Sequence, residues 1–325
     1  MSLRRKPAPP DFLETEKVAA YSNLLNIAKQ ISGNPEGGSV SLPSLPVGMR
    51  ARPQPGRESQ RAEFIARNQG VFSALDTALS RPIEAPEAAY RREQLPLDDH
   101  IAIKVLSRAL IAKGEDAELR GENKEAAQVY VTALRLGLAY EHGPLINFLI
   151  GSAIERISIR PLKTIIPKLA DDELITIAEE IQSANRGRIS FADVMRREEY
   201  YTALNTTNII EYARVHFSPQ LRSPVNKAAK IHRDLQTQLE GMSAAAGVLA
   251  YNRENNGSLT NLQSLIPRHL KLIPLDPYGY GRSPMRLLST STGSIPYSIG
   301  ENKRDESGRG DDIPFFFVDG LSASK

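Results

Sequence analysis

From Asp11 to Asn255, outside a Gly-, Pro- and Ser-rich stretch at 32–60, the apolar residues of this chain recur at intervals of three and four, segment after segment; after Asn256-Gly257 that period is lost. Such spacing draws one apolar stripe along one side of a helix, so the first part has to be built from helices packed on one another. Beyond 256, Pro267, Pro274, Pro277, Gly279, Gly281 and Pro284 punctuate short runs at 285–289, 294–299 and 313–318 that read as strands. The expected fold is mainly α with a small α+β C-terminal module, in which a long helix lies on a short antiparallel sheet.

Three parts follow from the pattern. Residues 1–60 hold an N-terminal helix near 11–31 and a linker rich in Gly, Pro and Ser, which offers little apolar surface to offset the entropy of ordering it. Residues 61–217 form a helical body. Its helices are expected over 58–79, from Asp98 or Asp99 with Ile101, Val105, Ala109 and Leu110 on one face, over 123–140, over 144–159 behind Pro144, after Asp171-Asp172, and over 190–217. Gly114, Gly121, Pro161 and Pro167 read as breaks. Residues 226–325 hold the long helix, ending at Asn256-Gly257 where both residues tolerate positive φ, and then the strands.

With 325 residues there is chain for about two domains, each able to bury a core. There is no cysteine, which excludes disulfides, thiolate metal sites and cysteine nucleophiles. The net charge of +3 is mild, and acids interleave with bases, as in Arg196-Arg197-Glu198-Glu199, so no nucleic-acid partner is expected. The most apolar run, 145–154, is far short of the ~20 residues a bilayer demands. Arg4-Arg5-Lys6 leads into Pro-rich sequence and not into an apolar signal core. A membrane would be reached only through an N-terminal anchor outside this chain.

Two segments carry family likenesses. In 114–134, Gly121, Ala126, Tyr130 and Ala133 fall at the small-small-aromatic-small spacing that resembles one tetratricopeptide unit; no second copy follows at 34 residues. The C-terminal quarter joins the helix ending in Asn256-Gly257, the turn Pro274-Leu275-Asp276-Pro277-Tyr278-Gly279, the strand end Tyr297-Ser298-Ile299-Gly300, and a Gly/Asp-rich loop closing on Asp311-Asp312-Ile313. In that order it resembles the major pseudopilin of type II secretion systems, and uncharacterised bacterial envelope proteins that share this ending. Ser258-Leu259 replaces the family's Tyr-Pro, Tyr278 stands where Trp is favoured, and the prepilin cleavage motif with its apolar helix is absent, so assembly into a filament is not implied.

The resemblance implies calcium in the 300–312 loop. Asp305, Asp311 and Asp312 would give carboxylates, with Asn302 and main-chain carbonyls completing the six to eight oxygens calcium takes; Lys303, Arg304 and Arg309 oppose it. It also implies a bacterial envelope or periplasmic location, or a cytoplasmic one if Met1 is the native start. For Asp276 the residues themselves give a structural role: Pro277 biases it to extended backbone, and its carboxylate can cap the turn at Tyr278-Gly279.

No paired metal spacing links His100, His142, His216, His232 and His269, and there is no Walker A loop or nucleophile elbow. Glu179-Glu180 and Glu198-Glu199 are neighbours and diverge by about 100° on a helix. The expected function is therefore a non-enzymatic, envelope-associated interaction or structural protein with a protein partner. The alternative is an enzyme whose groups meet only in the fold, with His142, Glu155, Glu198 and His232 lining a cleft. A third expectation makes the helical body a rigid spacer.

Overall fold

The structure is a computed structural model that describes residues 10–33, 57–91, 97–206, 219–255, 259–290 and 293–315. Among them nine α-helices precede a three-stranded sheet: α1 (Thr15–Lys29), α2 (Arg57–Arg67), α3 (Gln69–Ala78), α4 (Leu97–Leu119), α5 (Asn123–Tyr140), α6 (Leu145–Ile165), α7 (Asp171–Arg186), α8 (Phe191–Asn205), α9 (Pro219–Asn255), then β1 (Arg286–Thr290), β2 (Gly293–Ser298) and β3 (Ile313–Pro314). Most of the 32–60 linker, residues 207–217, the Asn256-Gly257 stop and the end of the last strand lie outside the described residues; the helix expected over 190–217 ends at Asn205, where Thr206 takes extended backbone.

The hairpin of α5 and α6 is the spine. One face of each helix enters a cluster with α1, α3 and α4, built on Tyr21, Leu24, Leu75, Ile103, Leu106, Leu136, Tyr140 and Ile154. The other faces, with Tyr130, Leu134 and Leu162, enter a second cluster with Leu174 and Ile181 of α7, Leu235, Leu239 and Val248 of α9, and Leu265, Leu270, Met285 and Phe315 beyond it. The helical body and the C-terminal module thus share one core with no gap in packing at residue 226.

The expected elements are present, with differences that have local causes. The helix over 58–79 is two helices that meet at Asn68, whose side chain is tied to the segment after α1: Nδ2 donates to the Ser32 carbonyl, and to that of Phe64 in α2, and Oδ1 accepts from Ser32 N–H. Gly114 does not break α4. The Tyr130 ring of α5 lies over it, and a Cβ there would come within 2.3 Å of that ring. Ile101 is exposed; the buried stripe of α4 is Ile103, Leu106, Ala109 and Leu110. Pro161 sits inside α6. The carbonyl that its missing N–H would have bonded belongs to Ile157, on the solvent side. The segment likened to a tetratricopeptide unit is the α4–α5 hairpin, with Ala126, Tyr130 and Ala133 fully buried.

In the C-terminal module α9 packs on β2, and the strands run antiparallel in the order β1-β2-β3, with Leu288 opposite Ile295 and Ser298 opposite Ile313. Asp276 ties the preceding turn to the end of β2. Its Oδ1 accepts from Tyr278 N–H (3.0 Å) and Ser298 Oγ (2.6 Å), and its Oδ2 accepts from Ile299 N–H (2.9 Å). The turn-capping role expected of Asp276 is what this geometry provides.

α5 and α6 cross at Gly137 and Gly151, backbone against backbone. A Cβ on Gly137 would lie 2.8 Å from the Gly151 carbonyl oxygen, and one on Gly151 would lie 2.4 Å from that of Gly137. Gly137→Ala or Gly151→Ala is therefore expected to lower unfolding free energy by roughly 1–3 kcal/mol despite the better helix propensity of Ala. Gly70→Ala on α3, which meets nothing within 4 Å, should raise it slightly. Urea denaturation of the three variants checks both signs.

Candidate functional site

Four residues past each crossing glycine stands a glutamate: Gly137-Leu-Ala-Tyr-Glu141 on α5 and its C-cap, Gly151-Ser-Ala-Ile-Glu155 on α6. A four-residue step returns to the same helix face, so the close crossing that the glycines allow also brings both carboxylates into the interior. Glu141 and Glu155 have fully buried side chains. Arg188, two residues past the end of α7 and 2% exposed, enters between them. Its Nη1 donates to Glu155 Oε1 at 3.1 Å and reaches both Glu141 oxygens at 3.4 Å, while Nη2 bonds Glu155 Oε2. Ser152 Oγ donates to Glu141 Oε1 at 3.1 Å.

Two carboxylates and one guanidinium leave a surplus negative charge in the core. Burial first, and the charge of Glu155 second, hold the Glu141 carboxyl well above the usual carboxylate range. That direction favours the neutral carboxyl at Glu141 and so reduces the surplus charge of the cluster. The repeated Gly-x-Ala-x-Glu pattern on either side of the Pro144 turn is the sequence signal for this cluster, and sequence reading did not find it. Arg188 has no comparable signal, since it meets the glutamates only through the fold.

Above Arg188 opens a cleft of about 450 Å³, lined among others by Phe12, Lys17, His142, Arg188, Arg196 and Arg197. A second buried pair forms its wall. Arg197 Nε donates to Glu84 Oε1 at 2.9 Å, Nη2 bonds Oε2, Tyr90 Oη donates to Glu84 Oε1 at 2.9 Å, and the Phe12 ring covers the guanidinium at 4.4 Å. Burial raises the Glu84 carboxyl above its ordinary value, against the pull of Arg197. His142 Nδ1 is 3.9 Å from Glu84 Oε2. Burial, then Arg197 and Lys17, push the imidazole down to about 4, so it is neutral at pH 7 and the contact is not an ion pair.

The fold gathers the four residues expected to line a cleft around the α5–α6 elbow and the 187–190 loop, but three of them are engaged elsewhere. Glu155 is bound to Arg188. Glu198, on α8, accepts from Leu145 N–H at 2.9 Å and so caps α6, whose N-cap residue is Pro144. His232 of α9 lies between Phe148 and Phe191 and bonds the Ile189 carbonyl through Nε2 at 2.8 Å. A carbonyl only accepts, so Nε2 carries the proton. His142 alone faces the opening, and a base with a pKa near 4 does little proton abstraction at pH 7. Arg196 is bound to Asp193, and Lys17 to Glu14 at 2.6 Å. The cleft has both signs of charge on its walls and spends them on internal pairs.

At the far end of the molecule, the 300–312 loop turns its carboxylates to its own backbone. Asp311 Oδ2 accepts from Asn302 N–H (2.7 Å), and Asp312 Oδ2 from Glu306 (2.9 Å) and Gly308 (2.8 Å) N–H. Asp305 Oδ1 takes Ser307 N–H (3.0 Å) and Tyr297 Oη (2.9 Å), while its Oδ2 pairs with Arg286. The Ser307 bond first, with help from Tyr297 and Arg286, lowers the Asp305 pKa. Asp312 Oδ1 is buried without a partner, and among the described residues no three carboxylate or imidazole groups converge on one point. The residues as placed do not fit a calcium shell.

Two outcomes follow. Glu141→Gln mimics the protonated form, so it should keep the fold at pH 7, whereas Glu155→Gln removes the main partner of Arg188 and should cost roughly 3 kcal/mol. A raised folded-state pKa gives stability that is present below pH 4.5 and lost as pH rises toward the raised value. His142 works oppositely between about 4 and 6.5. The stability of the wild type relative to Glu141→Gln should therefore fall as pH climbs above 4.5, as thermal melts across a pH series would show. Millimolar calcium should leave the melting temperature unchanged; binding heat in calorimetry would contradict the loop geometry. No family model, no curated protein and no solved structure matches this chain.

Proposed function

We propose that this chain is a non-enzymatic interaction protein of the bacterial envelope, whose helical body offers a docking face to a protein partner and whose C-terminal module is pseudopilin-like. The observation that carries it is the outer side of α6. Ile146, Leu149 and Ile157 stand about two-fifths exposed there, on a helix whose other faces are fully packed. Large apolar side chains aligned on a rigid helix are what a partner desolvates, whereas scattered ones need no explanation. The packing of α9 on β2 and the Asp276 turn support the pseudopilin comparison.

A second reading has one observation in its favour, the gathering of His142, Glu155, Glu198 and His232 around the α5–α6 elbow, with His142 on the wall of the cleft. It would make the chain an enzyme acting on a small charged substrate. Expression of wild type and of Leu149→Asp in the source cell separates the two. An interaction protein should migrate in a complex larger than its own 35.8 kDa from the envelope fraction, and the variant should return to the mass of the free chain. Loss of function from His142→Ala with the complex intact would favour the enzyme.

A further inference from the structure

The exposed side of α6 has a charge as well as a shape. From Leu145 to Ile165 the helix contains a single acidic residue, Glu155, and that one is buried against Arg188. Its exposed positions are Ile146, Leu149, Ala153, Arg156, Ile157, Arg160, Lys163 and Thr164. At 100° per residue, Ile146, Leu149, Ala153 and Ile157 fall within about 80° of one another, with Arg160 among them and Arg156 and Lys163 along one border. Lys163 reaches across to Gln238 of α9. Arg156 and Arg160 have no ion-pair partner among the described residues, unlike the buried Arg188 and Arg197. The face runs about 21 Å from Ile146 to Arg160, the length of four helical turns.

Resting on the interaction reading above, we infer that this face takes an acidic amphipathic helix from a protein partner, which lays its apolar stripe along Ile146, Leu149, Ala153 and Ile157 and sets its carboxylates against Arg156 and Arg160. Anchors at positions 146, 149, 153 and 157 match the spacing of a helix-in-helix groove. The guanidiniums of Arg156 and Arg160 supply the orientation, because a guanidinium holds a carboxylate in a fork of two hydrogen bonds.

A second copy of the chain fits less well. An antiparallel pair centred on Ala153 would bring Leu149 against Ile157 of the other copy, but would enclose four arginines with no acid between them, and like charges in an interface cost several kcal/mol. An anionic membrane also fits less well. The face has no aromatic residue to sit at the headgroup level, the whole chain lacks tryptophan, and two basic side chains contribute about 1 kcal/mol each.

The test uses the full chain and two labelled helical peptides of about four turns. Both have leucines at i, i+3, i+7 and i+11; one is flanked by glutamates, its twin by lysines. In fluorescence anisotropy the glutamate peptide should bind at least about tenfold more tightly than the twin. Arg156→Glu/Arg160→Glu should reverse that order, and Leu149→Asp/Ile157→Asp should remove binding of both. Leu119→Asp, on the exposed end of α4, should change nothing. Equal affinity for the twins, or no saturable binding of the glutamate peptide, overturns the inference. So does sedimentation with phosphatidylcholine–phosphatidylserine vesicles, or a concentration-dependent dimer, that Leu149→Asp/Ile157→Asp abolishes. If the cellular complex is lost in Leu149→Asp while peptide charge has no effect, the acidic helix falls and the interaction reading stands. If no cellular complex forms at all, the interaction reading falls with it.

Discussion

Everything in this molecule is arranged around a place where two helix backbones touch. Gly137 and Gly151 have no side chains to hold α5 and α6 apart, and so Glu141 and Glu155, one turn further along each helix, arrive in the interior with no route to water. A charge in that position costs several kcal/mol unless it is paired. The chain meets the cost twice over, with a Glu141 carboxyl whose pKa is raised by burial and by Glu155, and with Arg188 from the 187–190 loop. The loop is thereby fixed to the elbow, and with it the end of α7 and the start of α8. Glu198 then caps α6 from the other side. A close approach, two buried carboxyl groups and a guanidinium set the positions of four helices.

Much of this was legible in the residues, and the rest was not for physical reasons. Periodicity located the helices well, since a stripe of Leu174, Ile177, Ala178 and Ile181 has few other uses. It failed where a side chain from another element decides the outcome. Gly114 is a break by propensity and a helix interior in fact, because Tyr130 needs the space. Asn68 divides one apolar stripe into two helices through bonds to Ser32, which is 36 residues away. The carboxylates in the Gly/Asp-rich loop were visible as a cluster, but whether they face a common point or their own backbone amides is a matter of turn geometry. Here they face the amides.

The two surfaces of interest differ in how their electrostatics are closed. The cleft over Arg188 holds many ionisable groups, but each cation there has an internal anion, and its one free imidazole is held neutral by burial and by neighbouring positive charge. Perturbed pKa values mark functional sites, and they also mark ion networks that only hold a fold together. The α6 face is the reverse case. It exposes apolar area beside the guanidiniums of Arg156 and Arg160, which have no ion-pair partner among the described residues.

The continuous core carries a consequence for how the chain behaves as a whole. Leu235, Leu239 and Val248 of α9 are buried against Leu174 and Ile181 of α7 on one side and against the strand-bearing segment on the other. Severing the polypeptide ahead of α9 would strip both fragments of a shared apolar wall, so neither half should behave as an independent module. Heat should melt the assembly in one cooperative step, and a pull on the C-terminal strands would be transmitted along the 37-residue helix into the helical hairpin.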